Sequence, residues 1–82
     1  MTERQILLSN LDRIHTTPMG VDRIRRNLEL TDIEVVEFSK NKIADARCEI
    51  CKQGKNFYCK IDGMVITVNS FSYTIITAHR AK

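Results

Sequence analysis

The chain has no tryptophan, a single proline, three glycines and three cysteines among its 82 residues. It therefore contains no glycine- or proline-rich linker and no low-complexity tract. No apolar run approaches the roughly 20 residues that a transmembrane helix needs. Hydrophobic residues make up 43% and charged residues 28% of the chain, a balance that argues against disorder. We expect residues 1–82 to form a single small domain.

Several kinds of site are also missing from the sequence. There is no phosphate-binding loop, no dinucleotide-binding glycine motif and no nucleophile elbow. Cys48, Cys51 and Cys59 are odd in number, which does not favour a closed disulfide framework. Together with a histidine they could make a zinc site, but on a strand Cys48 and Cys51 would point to opposite faces. We expect no metal and no cofactor, and assign the thiols to packing.

The start of the chain lacks the basic region, apolar core and small-residue cleavage site of a secretory signal. We therefore expect a cytoplasmic protein with no membrane partner. The net charge of +3 and the pI of 8.9 suit an anionic partner such as nucleic acid, although a solvated basic surface would give the same values. Arg23, Arg25 and Arg26 fall within four residues and are the densest group of cations.

The first part of the chain predicts helices. Thr2 and Gln5 form a capping box, and the helix they begin should continue to about His15. Thr17 is a suitable N-cap for a second helix, because Pro18 then occupies the first helical position. Arg23 and Arg26 lie three residues apart on this second helix, so both can project to one site.

A third helix should begin at Thr31, where Glu34 completes another capping box. Ile33 is expected on its buried face, and the helix should fade between residues 44 and 47.

The remaining residues alternate between apolar and polar as strands do. Asp62-Gly63 between two such runs is a strong signal for a two-residue type I′ hairpin. The predicted strands are Cys48–Lys52, Asn56–Ile61, Met64–Val68 and Ser72–His79. About three helices followed by a four-stranded antiparallel meander make an α+β fold.

The last strand carries the most informative residues. With period two, Tyr73, Ile75, Thr77 and His79 should share one face. Because Ile75-Ile76 is the most apolar strand core, we expect this strand to be central or next to the centre of the sheet.

His15 and His79 are the only histidines, and imidazole can both accept and give a proton near neutral pH. Two histidines flanking a phosphodiester could remove the proton of an RNA 2′-hydroxyl and protonate the leaving oxygen without a metal. Arg23 or Arg26 could hold the phosphate, and Thr77 could donate a hydrogen bond to it.

Simpler structural roles are open for the same residue types. His15 could satisfy a helix end and His79 could be a solvated tail residue. Thr17 could be only a cap. Lys55 could contact phosphate or be a loop cation, and Tyr73 could be a half-buried sheet residue or a stacking surface for a base.

Four segments cover nearly the whole chain and carry a resemblance. They are His15-Thr-Thr-x-x-Gly20-x-x-Arg23-x-x-x-Asn27-Leu28, Gly54-Lys55-Asn56-Phe57-Tyr58, Ile66-Thr67-Val68-Asn69 and the run from Ser72 to His79. This pattern resembles a family of short bacterial proteins of unknown function.

The chain also resembles, more distantly, the barnase–EndoU–colicin–RelE superfamily of metal-independent ribonucleases, which includes many toxins. The resemblance implies N-terminal helices before a four-stranded antiparallel sheet. His15 matches the histidine of some tRNA-cleaving members, Arg26 matches their arginine with Arg23 as a competitor, and Thr77 matches their threonine. His79 stands where those members have tyrosine.

Our leading hypothesis is a toxin-type ribonuclease that acts on RNA, with tRNA as one candidate, and leaves a 2′,3′-cyclic phosphate. His15 would be the base and His79 the acid, with Arg26, Arg23 and Thr77 on the phosphate. Thr17, Lys55 and Tyr73 are further candidate RNA contacts. The alternative is a non-catalytic interaction module that binds nucleic acid or another protein, such as a target or an antidote. Close approach of the two imidazoles would favour catalysis, and wide separation would favour the module.

Overall fold

The structure, a computed structural model, describes residues 2–81. Its elements are α1 (Glu3–Leu8), α2 (Pro18–Leu28), α3 (Val35–Ala44), β1 (Glu49–Gln53), β2 (Asn56–Ile61), β3 (Met64–Asn69) and β4 (Ile75–Arg80), with a 3-10 turn at Leu11–Arg13. The strands pair antiparallel in the order β1-β2-β3-β4. The predicted α+β fold with a four-stranded meander is confirmed. Within the described residues, no helix is long and apolar enough to cross a membrane.

The helices pack on one face of the sheet, and the hydrophobic core lies between them. Alternate residues of β2 and β3 are buried on this helix-covered face, as period two requires. The core residues of these strands are Phe57, Cys59, Ile61, Met64, Ile66 and Val68. The helices contribute Leu7, Ile24, Leu28, Val35 and Ile43.

Helix α1 begins as predicted and ends much earlier. The capping box between Thr2 and Gln5 is present, but the helix stops at Leu8 instead of continuing to about His15. The Ser9 hydroxyl donates to the Gln5 carbonyl at 2.7 Å, and the side-chain amide of Asn10 donates to the Ile6 carbonyl at 2.8 Å. Such local side-chain bonds compete with the helical pattern and end it here.

Helix α2 has the predicted cap. The Thr17 hydroxyl accepts from the Gly20 N–H at 3.0 Å, and Pro18 takes the first position. A Cβ on Gly20 would lie 2.2 Å from the Thr16 hydroxyl oxygen. Glycine therefore allows α2 to approach the segment that precedes it.

Helix α3 starts later than Thr31, so that prediction is wrong. The Glu34 carboxylate caps the helix by accepting from the N–H of Glu37, and the helix begins at Val35. Ile33 then lies outside the helix and is 39% exposed, not buried. The end at Ala44 agrees with the sequence.

The β2–β3 connection is the hairpin that the sequence predicts. Asp62 and Gly63 both have positive φ, 51° and 74°, as a type I′ turn requires.

Strand β4 lies at an edge of the sheet, not at or next to its centre as predicted. Its outer side is covered by α2 and by the segment before it. The Ile75 N–H donates to the His15 carbonyl at 2.8 Å, and the Ile75 carbonyl accepts from the Thr16 hydroxyl at 3.0 Å. Asn27 donates its amide to the Ala78 carbonyl at 3.1 Å. These contacts satisfy part of the edge and cover Ile75 and Ala78 without a fifth strand, whereas Ile76 stays 40% exposed.

A β-bulge corrects the predicted faces of β4. Thr77 pairs with Thr67 and Ile75 pairs with Val68, so Ile76 is an extra residue on β4. Such an insertion re-aims the side chains on either side of it. Ile75 therefore faces the core, whereas Thr77 and His79 lie on the opposite face of the sheet. Tyr73 has a φ of 59° and packs its ring in the core against Phe57.

Candidate nucleic-acid interface

The two histidines lie at opposite ends of β4. His15 forms a parallel bridge with Thr74, just before the strand begins. His79 comes five residues after Thr74, which is roughly 15 Å at the usual rise of a strand. The structure therefore does not bring the two imidazoles to one place.

The His15 ring is held by two hydrogen bonds. Its Nδ1 lies 2.8 Å from the Arg13 carbonyl oxygen, and its Nε2 lies 3.1 Å from the Thr74 hydroxyl. Because a carbonyl can only accept, Nδ1 carries the proton in the neutral ring and Nε2 accepts from Thr74. The Thr74 oxygen is in turn 2.8 Å from the Ser72 hydroxyl. In the neutral ring, His15 is therefore a hydrogen-bond acceptor at Nε2.

The β3–β4 connection beside His15 is a tightly bonded turn. The Asn69 side chain accepts from the N–H groups of Phe71 and Ser72, both at 2.9 Å. The Ser70 N–H donates to the Lys55 carbonyl at 2.8 Å, which joins this turn to the β1–β2 turn. We call this group the turn cluster; it comprises His15, Lys55, Asn69, Phe71, Ser72 and Thr74.

Two other residues that were predicted to contact RNA, Thr17 and Tyr73, have roles in the fold. The Thr17 hydroxyl is used as the cap of α2. Tyr73 is only 6% exposed, and the Arg13 guanidinium carbon lies 4.6 Å from its ring centroid. The Tyr73 ring is thus buried against Arg13 and Phe57 and presents no free stacking surface.

Arg23 and Arg26 lie on the exposed side of α2. They line one shallow hollow with Met19 and Asp22, as their spacing on the helix predicts. Neither arginine has an ion-pair partner within residues 2–81. Asn27, one helical turn after Arg23, donates its side-chain amide to the Ala78 carbonyl of β4, so the position of Arg23 lies toward the outer edge of the sheet.

The sheet face opposite the helices carries the predicted site residues of β4, Thr77 and His79. His79 pairs with Val65, which pairs with Lys60 on the next strand. Thr77 pairs with Thr67, which pairs with Tyr58. His79 and Lys60 are exposed, and two strand spacings separate them by about 10 Å. The basic surface, as we name it, comprises Arg23, Arg26, Lys60, Thr77 and His79.

Several cations away from the basic surface are matched by carboxylates. Lys42 lies 2.6 Å from Asp62, and Arg47 lies 3.0 Å from Asp45. Hydrogen bonds from Arg47 lower the pKa of Asp45 to about 2. A hydrogen bond from Lys42 likewise holds the pKa of Asp62 below its usual value. On the basic surface itself the nearby carboxylates are Asp22 and Glu49, the cross-strand neighbour of Lys60.

The cysteines occupy both faces of the sheet. Cys48 and Cys59 are buried, and Cys51 is exposed on the open face. A hydrogen bond between the buried thiols lowers the pKa of Cys48 and, together with burial, raises the pKa of Cys59. No group of three or more metal-ligating side chains is found in the described part of the chain.

Sequence reasoning missed part of the turn cluster. From the sequence we do not predict Asn69, Phe71, Ser72 or Thr74 as site residues, although an apolar ring within the polar turn Asn69-Ser70-Phe71-Ser72 is a visible signal. The contact of this turn with His15 depends on the fold and has no local signal.

Comparison with known proteins gives one family. A family model described as "Protein of unknown function (DUF3781)" matches residues 8–79. No curated protein and no solved structure matches the chain.

Proposed function

The chain belongs to this family of proteins of unknown function, and we propose that it binds RNA through the basic surface. Of the two hypotheses drawn from the sequence, this proposal corresponds to the non-catalytic interaction module, with nucleic acid as its partner. The observation that carries the proposal is the position of Arg23 and Arg26. Both are exposed, neither is ion-paired within residues 2–81, and together they line one hollow on α2.

The chemistry of these side chains suits a phosphate backbone. Guanidinium groups donate paired hydrogen bonds to phosphate oxygens, and basic side chains that displace counterions supply most of the non-specific affinity for nucleic acids. Tyr58 on the same sheet face is half-buried and offers an aromatic surface beside the cations. The net charge of +3 favours association with a polyanion.

The proposal is tested by titrating a fluorescently labelled RNA with the protein. The double variant Arg23→Gln, Arg26→Gln should bind much more weakly than the wild type. The matched control is Lys40→Gln, Arg47→Gln, which removes the same charge from cations that already have carboxylate partners. Equal affinities for the two double variants, or no binding by the wild type, would overturn the proposal.

RNA cleavage is a second candidate, favoured by the state of the His15 ring. In the neutral ring Nε2 accepts from Thr74, and a 2′-hydroxyl that replaced Thr74 there would meet the lone pair that a general base needs. His79 is too far along β4 to protonate the leaving oxygen of the same phosphodiester, so in this candidate reaction solvent water would supply that proton. Incubation with total tRNA in EDTA tests it. Cleavage that is lost in His15→Ala and kept in His79→Ala would support this candidate, and intact tRNA would reject it.

A further inference from the structure

Phe71 is the aromatic side chain that the fold leaves most open. It is 70% exposed at the tip of the β3–β4 turn, whereas Phe57 and Tyr73 are buried. An exposed phenyl ring contributes nothing to the core, and its hydration is unfavourable. A ring in this position is available to a ligand.

The turn that carries Phe71 is rigidly bonded. The N–H groups of Phe71 and Ser72 donate to the side-chain oxygen of Asn69. The Tyr73 N–H donates to the Asn69 carbonyl at 2.9 Å. The Ser70 N–H is held by the Lys55 carbonyl. Because these bonds fix the backbone in advance, little conformational entropy would be lost when the ring meets a ligand.

The surroundings of Phe71 are polar and match a nucleotide. Lys55 lies in the adjoining turn and has no ion-pair partner among residues 2–81. The Ser72 and Thr74 hydroxyls and His15 Nε2 form a chain of hydrogen bonds that begins at the residue after Phe71 in the same turn. A base can stack on an aromatic ring while its phosphate meets a cation and its ribose meets hydroxyl or imidazole groups.

We propose that the turn cluster binds an unpaired nucleotide of single-stranded RNA, with the base stacked on Phe71. This inference rests on the proposed RNA binding and names its substrate class as single-stranded. A stacked duplex does not offer the face of an internal base, so the contact is restricted to unpaired nucleotides. The turn cluster and the basic surface meet opposite ends of β4, so a strand of several nucleotides would contact both.

The test compares binding of labelled oligouridylate with binding of a fully paired RNA duplex of the same length. Phe71→Ala should weaken oligouridylate binding by about 5- to 100-fold, the usual effect of losing one stacked base. Duplex binding should be unchanged. Phe71→Trp should retain the affinity for oligouridylate, because an indole ring also stacks.

The matched control is Ile33→Ala, which removes another exposed apolar side chain, on the loop before α3. It should bind oligouridylate like the wild type. If Phe71→Ala also binds like the wild type, the stacking site is wrong while RNA binding through the basic surface stands. A wild type that binds neither RNA would overturn both proposals, and equal weakening for both RNAs would overturn the single-strand assignment.

Discussion

The Nε2 atom of His15 lies 3.1 Å from the hydroxyl oxygen of Thr74, 59 residues later in the chain. This bond joins the segment before α2 to the start of β4. It accompanies two backbone bonds: the His15 N–H donates to the Tyr73 carbonyl, and the His15 carbonyl accepts from the Ile75 N–H. It places one of the two histidines in the turn cluster and leaves the other on the basic surface.

The first prediction concerns the protonation of His15. Because Nδ1 donates to the Arg13 carbonyl, nitrogen NMR of the neutral ring should find the proton on Nδ1. Thr74→Val removes the donor to Nε2 and should lower the free energy of unfolding by about 0.5–1.5 kcal/mol. Thr77→Val is the control, since Thr77 lies on β4 away from His15. A neutral ring protonated at Nε2, or equal stability for both variants, would contradict this geometry.

A second prediction follows from the close approach at Gly20. Alanine favours a helix by about 1 kcal/mol over glycine, but the added methyl group would displace the Thr16 hydroxyl and break its bond to the Ile75 carbonyl. Gly20→Ala should therefore destabilise the protein by about 1–3 kcal/mol. In a Thr16→Ala background the same change should cost less. Urea unfolding of the four proteins measures this coupling, and identical effects in both backgrounds would refute it.

The third prediction is a difference in thiol reactivity. Cys51 is exposed, whereas Cys48 and Cys59 are 4% and 0% exposed. The thiolate is the reactive form, and a hydrogen bond with Cys48 together with burial raises the pKa of Cys59. A maleimide reagent should therefore modify one cysteine, Cys51, in the native protein and all three after unfolding, as mass spectrometry would detect. Native labelling of Cys59 as fast as that of Cys51 would contradict the packing.

The fourth prediction concerns stability in acid. The pKa of Asp45 in the folded protein is about 2, lowered by hydrogen bonds from Arg47. A carboxyl with a depressed pKa stabilises the fold above its unfolded pKa near 3.8 and loses that contribution as the pH falls toward 2. Asp45→Asn should therefore be less stable than the wild type at pH 5, and the difference should shrink by pH 2. Melting temperatures measured across this range test it, and a constant difference would contradict it.

Local signals in the sequence predicted the element types and several boundaries. Thr2 and Thr17 cap the helices that they were expected to begin, because a cap needs only residues within the next turn. Asp62-Gly63 likewise contains the whole chemistry of its hairpin. The shorter α1 and the later start of α3 arise where Ser9 and Glu34 offered competing local bonds.

The placement of β4 and of the candidate residues depended on distant parts of the chain. The apolar pair Ile75-Ile76 predicts that its strand is covered by other parts of the protein. It does not indicate whether a neighbouring strand or a helix covers it. The bulge at Ile76 moved Thr77 and His79 to the face opposite Ile75, which a strict alternation cannot anticipate. The separation of His15 from His79 follows from which end of β4 the segment before α2 meets.

The salt dependence of RNA binding tests the central claim most directly. If Arg23 and Arg26 each neutralise a phosphate, their replacement by glutamine should reduce the slope of log affinity against log salt concentration by about 1.4 for a single-stranded RNA. The Lys40→Gln, Arg47→Gln control should keep the wild-type slope. A wild-type slope in the Arg23→Gln, Arg26→Gln variant would contradict a basic surface that binds RNA.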